Sequence, residues 1–249
     1  MAAVSDEMRA EFCRRGFVVV PGVLSSRQVS AARETVAELL ACQPVPVGRA
    51  GHFLWPRFGA GGHPLLDFYR QAGVGELAGQ LLRPGLAVQD PDFAQIAITI
   101  PPFPHRPGVP HVDGLTPGEP DGRPGTFSLL AGVWLTDQSA DRGNIWIWPG
   151  THLRFGQYLA EHGADALTRV AEMGPGPYPL VELGEPVQAT GPAGSVLFAH
   201  YLLAHNSGGH FGAAATERRE TIYYRLHADG HRQRWKEAVT SPLLEFRQP

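Results

Sequence analysis

Cysteine is scarce in this chain: its 249 residues hold only Cys13 and Cys42. Two cysteines build no disulfide framework, and no Cys-x-x-Cys occurs, so both are expected as free thiols in a reducing cytoplasm. Charge is thin too, with Asp, Glu, Lys and Arg at 18% and a formal net charge of −3. No basic run stands out, which disfavours nucleic acid and anionic membrane as partners. The opening from Met1 to Glu7 has no apolar stretch and does not read as a signal peptide. No apolar run approaches the ~20 residues of a membrane-spanning helix. Internal repeats and a linker between two cores are also missing, so a single domain over 1–249 is expected.

Glycine and proline are abundant, at 30 and 23 residues, beside a hydrophobic share of 43%. Such a load breaks helices and favours short strands joined by ordered turns, while the apolar share supports a sizeable core. Residues 5–42 read as helix, strand, helix. Phe17 to Val20 is a β-branched run closed by Pro21 and Gly22. Ser25 or Ser26 can cap a helix in which Val29, Ala32, Val36, Leu39 and Leu40 recur at helical spacing. Residues 43–63 read as a loop whose Phe53, Trp55 and Phe58 could cover something, and a helix from Leu65 to Leu82 follows. The remainder reads as strands over 93–100, 126–136, 145–148, 180–183, 186–190, 195–199 and 217–226, with a mostly helical insertion at 154–173. The expectation is a mainly β fold, a sandwich or barrel, in which helices within 1–85 pack on a β core at 86–226.

His-x-Asp occurs twice, as His111-Val112-Asp113 and His227-Ala228-Asp229. In an extended segment, residues i and i+2 point to one face, so His and Asp at this spacing can share a metal ion. A second histidine from another strand completes a facial triad of two imidazoles and one carboxylate, with three metal positions left open. Ample chain follows His111 to bring such a histidine back. After His227 only His231 remains, next to it in sequence, and this second pair reads as a solvated turn. His200, His205 and His210 compete as the distal ligand. His200 ends an apolar strand, His205 opens a polar Asn-Ser-Gly-Gly turn, and His210 sits among glycines and reads as surface. The context favours His205. Arg218 and Arg219 are candidates to pair with a carboxylate. Arg219, Thr221 and Tyr223 share one face of that strand; Arg218, Glu220, Ile222 and Tyr224 share the other.

Together these segments resemble the phytanoyl-CoA dioxygenase family. The resemblance rests on Gly16 to Ser25, on Val109-Pro110-His111-Val112-Asp113, on Gly132 to Asp137, on Gly143-Asn144 followed by Pro149 to His152, and on Gly194 to Phe198 ahead of His205. It implies a double-stranded β-helix, or jelly roll. It implies Fe(II) held by His111, Asp113 and His205, with 2-oxoglutarate and O2 as cosubstrates and succinate and CO2 as products. Arg219 matches the 2-oxoglutarate arginine, with Arg218 as alternative, and Gln95 and Trp134 match strand positions that contact the cosubstrate. Thr221 can add a hydroxyl beside Arg219. Three departures stand out: Gly143-Asn144 in reversed order, an altered length of the segment between His205 and Arg219 that leaves Arg218 possible, and Thr99 where relatives often carry Lys.

Asp113 points away from halogenation, towards hydroxylation, desaturation, ring closure or epimerisation. The aromatic loop, Phe103 and His105 near the metal segment, and Trp146 and Trp148 on one strand face suit a small, partly apolar substrate. Arg57, Arg106 and Arg123 are too scattered for the phosphates of an acyl-CoA, which leaves a natural-product intermediate as the expectation. Two other readings compete: a non-redox jelly-roll metalloenzyme, and a non-catalytic metal-binding module.

Overall fold

Ser25 caps the second helix through a reciprocal pair. Its hydroxyl accepts from the Gln28 N–H at 3.3 Å, and the Gln28 side chain accepts from the Ser25 N–H at 3.0 Å. The helix turns Ala32, Val36 and Leu40 to the core, as its spacing predicts. The computed structural model describes residues 2–104, 110–113, 118–119, 121–167, 181–212 and 218–248. In chain order the elements are α1 (Asp6–Arg15), β1 (Phe17–Val20), α2 (Ser26–Cys42), β2 (Gly51–Leu54), α3 (Pro64–Gln71), α4 (Val74–Gly79), β3 (Gln95–Thr99), β4 (Leu129–Trp134), β5 (Ile145–Ile147), α5 (Thr151–His162), β6 (Val187–Gln188), β7 (Val196–His200), β8 (His205–Ser207), β9 (Arg219–Leu226) and α6 (His231–Thr240).

The strands form two sheets, β1-β7-β4-β9-β3-β2 and β6-β5-β8, in which every pairing is antiparallel. Together they make the jelly roll that the resemblance implied. Alternation along the large sheet sorts its side chains into two layers. Val133, Phe198, Ile222 and Tyr224 face one apolar cluster with residues of α1 to α4. Leu130, Trp134, Leu197 and Tyr223 face the other, with Ile145 and Ile147 of the small sheet. Burying a side chain such as Ile222 contributes about 1.5–3 kcal/mol. The inward face of β9 is different: Arg219, Thr221 and Arg225 are buried there, which gives a polar strip inside the roll.

Several boundaries differ from the sequence reading. The expected helix from Leu65 to Leu82 breaks into α3 and α4 at Gly73, whose φ of 66° does not continue a helix. The loop at 43–63 contains β2, which pairs with β3 as the edge strand. Residues 181–183 form no strand, while position 180 lies outside the described residues. The insertion is helical as α5, and its expected part at 168–173 is likewise outside them. The chain after β9 is not a plain solvated turn, because α6 follows and buries Trp235 and Val239. Gly143 accounts for the reversed Gly-Asn pair. It has φ 83°, and an added Cβ would lie 2.9 Å from Thr99 Cβ. Asn144 is then buried, its amide donating to the Ala189 carbonyl at 3.0 Å.

Candidate active site

The His111 segment and the start of β8 run side by side. The His111 N–H donates to the His205 carbonyl at 2.9 Å and the His205 N–H donates back at 3.0 Å. This brings the two imidazole centroids to 4.4 Å. Asp113, two residues on, turns in beside them: its Oδ1 lies 3.6 Å from His111 Nε2 and 3.9 Å from His205 Nε2. One ligand atom from each of the three residues falls within a 4.8 Å cluster. The site therefore draws its donors from a segment between β3 and β4 and from the first residue of β8. His205 opens a strand paired with β5, where the sequence suggested a turn.

His205 is oriented by its own backbone. Its Nδ1–H donates to the Leu203 carbonyl at 2.9 Å, which leaves Nε2 as the lone pair facing Asp113. Burial, and then the neighbouring His111, push the His205 pKa down to about 4, so the ring is neutral near pH 7. Asp113 behaves oppositely. Burial opposes its ionisation, but His111, His205 and Arg225 outweigh that and hold its carboxyl well below the usual range. A neutral imidazole and an ionised carboxylate are the forms that bind a metal. Two nitrogens and one oxygen arranged so suit a ferrous ion with open positions.

The same cavity takes in the cosubstrate candidates. Beside the three donors it is lined by Gln95, Ala97, Leu130, Ile145, Arg219 and Tyr223, and by Phe53 at its edge. Arg219 is buried and its plane is held from two sides: Nε donates to Gln138 Oε1 at 2.8 Å and Nη2 to the Tyr223 hydroxyl at 2.6 Å. Arg218 points the other way and donates to Glu220 at 2.5 Å, with Arg33 on the same carboxylate at 3.0 Å. Thr221 and Trp134 are register partners on the inward face, behind the cavity lining. Thr221 Oγ1 and Trp134 Nε1 are both buried without a hydrogen-bond partner among the described residues. Thr221 stands two residues from Arg219 on the same strand face, and buried donors left without partners suit a polar ligand.

The competing histidines are occupied elsewhere. His200 Nε2 meets the Pro242 carbonyl at 2.7 Å while its Nδ1 accepts from the Leu202 N–H. His210, expected at the surface, is 1% exposed, and its Nδ1 accepts from the Gly212 N–H at 3.1 Å. His227 is half-buried against the Thr126 carbonyl, so only Asp229 of that pair is exposed. In the aromatic loop Phe53 and Trp55 are exposed, whereas Phe58 packs inward near Tyr224. Ile145 lines the cavity and neither Trp146 nor Trp148 does. His105 and Arg106 lie outside the described residues. Sequence reasoning missed Gln138, for which there was no signal. It also missed Arg225, although the two-residue alternation of β9 placed that residue on the Arg219 face.

A jelly roll with two imidazoles, a carboxylate and a buried arginine around one cavity is an arrangement that suits a non-haem iron oxygenase. The chain belongs to the phytanoyl-CoA dioxygenase family, whose model matches residues 12–219. It is similar to the ectoine dioxygenase of Stutzerimonas stutzeri (strain A1501), at 26% identity over 257 residues, covering 98% of this chain and 82% of that protein. Two solved structures share the fold. The α-ketoglutarate-dependent carbocyclase SnoK from nogalamycin biosynthesis has a TM-score of 0.58 at 22% identity, over 92% of this chain and 90% of SnoK. EctD from S. alaskensis, with 2-oxoglutarate and 5-hydroxyectoine, has a TM-score of 0.58 at 19% identity, over 91% of this chain and 77% of EctD. The protein is an iron- and 2-oxoglutarate-dependent dioxygenase, an oxidoreductase that uses O2.

Proposed function

We propose that His111, Asp113 and His205 hold the ferrous ion, and that Arg219, aided by Gln95, Thr221 and Trp134, binds 2-oxoglutarate. The observation that carries this reading is the shared cavity: the three clustered donors and the buried Arg219 line the same space. When bound, iron and 2-oxoglutarate together activate O2 for the oxidation of a substrate C–H bond, with succinate and CO2 released.

The chain's own residues then have distinct tasks. His205 offers a neutral Nε2 and Asp113 a full negative charge. Arg219 pairs with the distal carboxylate of the cosubstrate, and its plane is already fixed by Gln138 and Tyr223, so little rotamer freedom is lost on binding. Thr221 Oγ1 and Trp134 Nε1, buried behind the lining without a partner among the described residues, are the candidates to add donors on that side. Ala97, Leu130 and Ile145 give the same cavity an apolar lining.

The substrate is a small, partly apolar metabolite that rests against Phe53 and Trp55, both exposed at the edge of the inward face. Arg57 is an exposed side chain beside Phe93, and Arg123 is engaged by Asp121 and the Arg232 carbonyl, so neither adds to a phosphate cluster for an acyl-CoA. Hydroxylation, desaturation, ring closure or epimerisation in secondary metabolism, in the cytoplasm, fits this site. Among the described residues no helix is long and apolar enough to cross a membrane.

Anaerobic titration of the metal-free protein with Fe(II) and then 2-oxoglutarate tests the assignment. A weak visible charge-transfer band that needs both additions supports it. Iron binding without the band removes the cosubstrate residues from it, and absence of iron binding removes the ligand set.

A further inference from the structure

The inward strip of β9 carries a second arginine to which the roles above give no task. Arg225 is 7% exposed, and its Nη2 lies 3.5 Å from Asp113 Oδ1, the oxygen that faces both imidazoles. Three rings surround its guanidinium, with centroids at 5.4 Å for Phe127, 5.6 Å for Trp55 and 5.8 Å for Phe93. Such rings stabilise a cation over their faces and restrict the plane of the guanidinium. The anchoring is unequal on the two sides of this contact. Arg225 stands on β9, hydrogen-bonded between β4 and β3, whereas Asp113 belongs to no strand or helix. A fixed cation thus faces a carboxylate carried by irregular chain.

We propose that Arg225 is the positioning residue for the metal-binding carboxylate: it turns Asp113 towards the two histidines, while Trp55, Phe93 and Phe127 hold Arg225 in place. The inference rests on the ligand set assigned above. It also gives Trp55 a role at the metal, because this exposed ring on the edge of the roll stacks against the group that aims the ligand.

The test is an anaerobic Fe(II) titration of the full-length metal-free protein, by calorimetry, for wild type, Arg225→Met, Trp55→Ala and Asp113→Ala. Affinity for 2-oxoglutarate is then measured on the iron-loaded proteins. Arg225→Met should weaken iron binding roughly 10- to 100-fold, as loss of a group orienting a ligand does, and leave 2-oxoglutarate affinity near wild type. Trp55→Ala, at an exposed position that tolerates truncation, should shift iron affinity the same way by less, and it carries the test if Arg225→Met does not fold. Arg225→Lys keeps the charge but loses the planar stack, so it should recover only part of the loss. Wild-type iron affinity in Arg225→Met or Trp55→Ala, with Asp113→Ala defective, overturns the positioning role alone. A loss of 2-oxoglutarate affinity in place of iron affinity also overturns it. Normal iron binding by Asp113→Ala overturns the ligand set and this inference with it.

Discussion

Two clusters of histidine and carboxylate are built into this roll, and they are finished differently. In one, His231 Nδ1 meets Glu245 at 3.0 Å, its Nε2 meets Thr126 Oγ1 at 3.1 Å, and the Ser128 hydroxyl donates to Glu245 at 2.6 Å and accepts from the Ala228 N–H at 2.9 Å. Every polar atom of that group is spent on another, and the cluster fastens the C-terminal segment to the residues just ahead of β4. In the other, His111, Asp113 and His205 approach only to 3.6–3.9 Å, too far for hydrogen bonds, and open on a cavity. Residue types alone do not separate a fastening from a metal site. The separation lies in whether donors and acceptors are satisfied within the cluster or left facing a space.

The sharpest way to break this comparison is to exchange effects between the clusters. Asp113→Ala should lower iron affinity more than roughly 100-fold, beyond the cost of losing an orienting group, and should lower the thermal midpoint of the metal-free protein by less than Glu245→Ala does, through the loss of the carboxylate beside Arg225. Calorimetric titration and a melt read the two quantities. Glu245→Ala should do the reverse: about 3 kcal/mol of stability is lost in urea unfolding, because His231 and Ser128 are left buried without their partner, and iron affinity of the folded protein is unchanged. Arg219→Ala, on the same side as Asp113, should cost about 1.5–3 kcal/mol, or roughly 10- to 150-fold, in 2-oxoglutarate affinity with iron affinity retained. Turnover that persisted at low 2-oxoglutarate in this variant would sink the arginine assignment.

The smallest effect concerns pH. His205 and His152 both have folded pKa values of about 4, below the ordinary 6.5, with burial as the leading cause. The unfolded chain therefore takes up protons first as pH falls through 6.5, and acid favours unfolding until pH nears 4. Each ring should cost less than about 1 kcal/mol between pH 8 and pH 6, seen as a falling thermal midpoint of the metal-free protein. Glu245, held below its usual range, acts in the same direction: its contribution is present above its unfolded pKa and is lost as pH falls through the folded value.

Local signals carried much of the reading. The β-branched run at Phe17 to Val20, the Ser25 cap and the alternation of Arg219, Thr221 and Tyr223 each state their structure within a few residues. Gly73 was passed over because a glycine within an apolar helical pattern does not by itself announce a break: Gly75 and Gly79 of the same stretch lie inside α4. β2 was hidden because Gly51 to Leu54 has a strand partner only once β3 is in place, which is a tertiary fact. The site divides the same way. His111 and Asp113 stand out by their i, i+2 spacing only because enough chain follows them to return a second histidine, and His205 is favoured by the polar segment it opens. Gln138 and the tasks of Arg225 and Glu245 depend on what the fold carries to them from distant chain.

The backbone bridge between His111 and His205 has a thermodynamic consequence. Bringing positions 111 and 205 together closes a long loop, and loop closure is an entropic cost that grows with the logarithm of length. Here two reciprocal peptide hydrogen bonds and the sheet around them close that loop. A metal that had to gather its donors from a disordered chain would surrender much of its binding energy to that ordering. In this roll peptide hydrogen bonds share in gathering the three side chains, so a metal at the proposed site would not carry the whole of that cost.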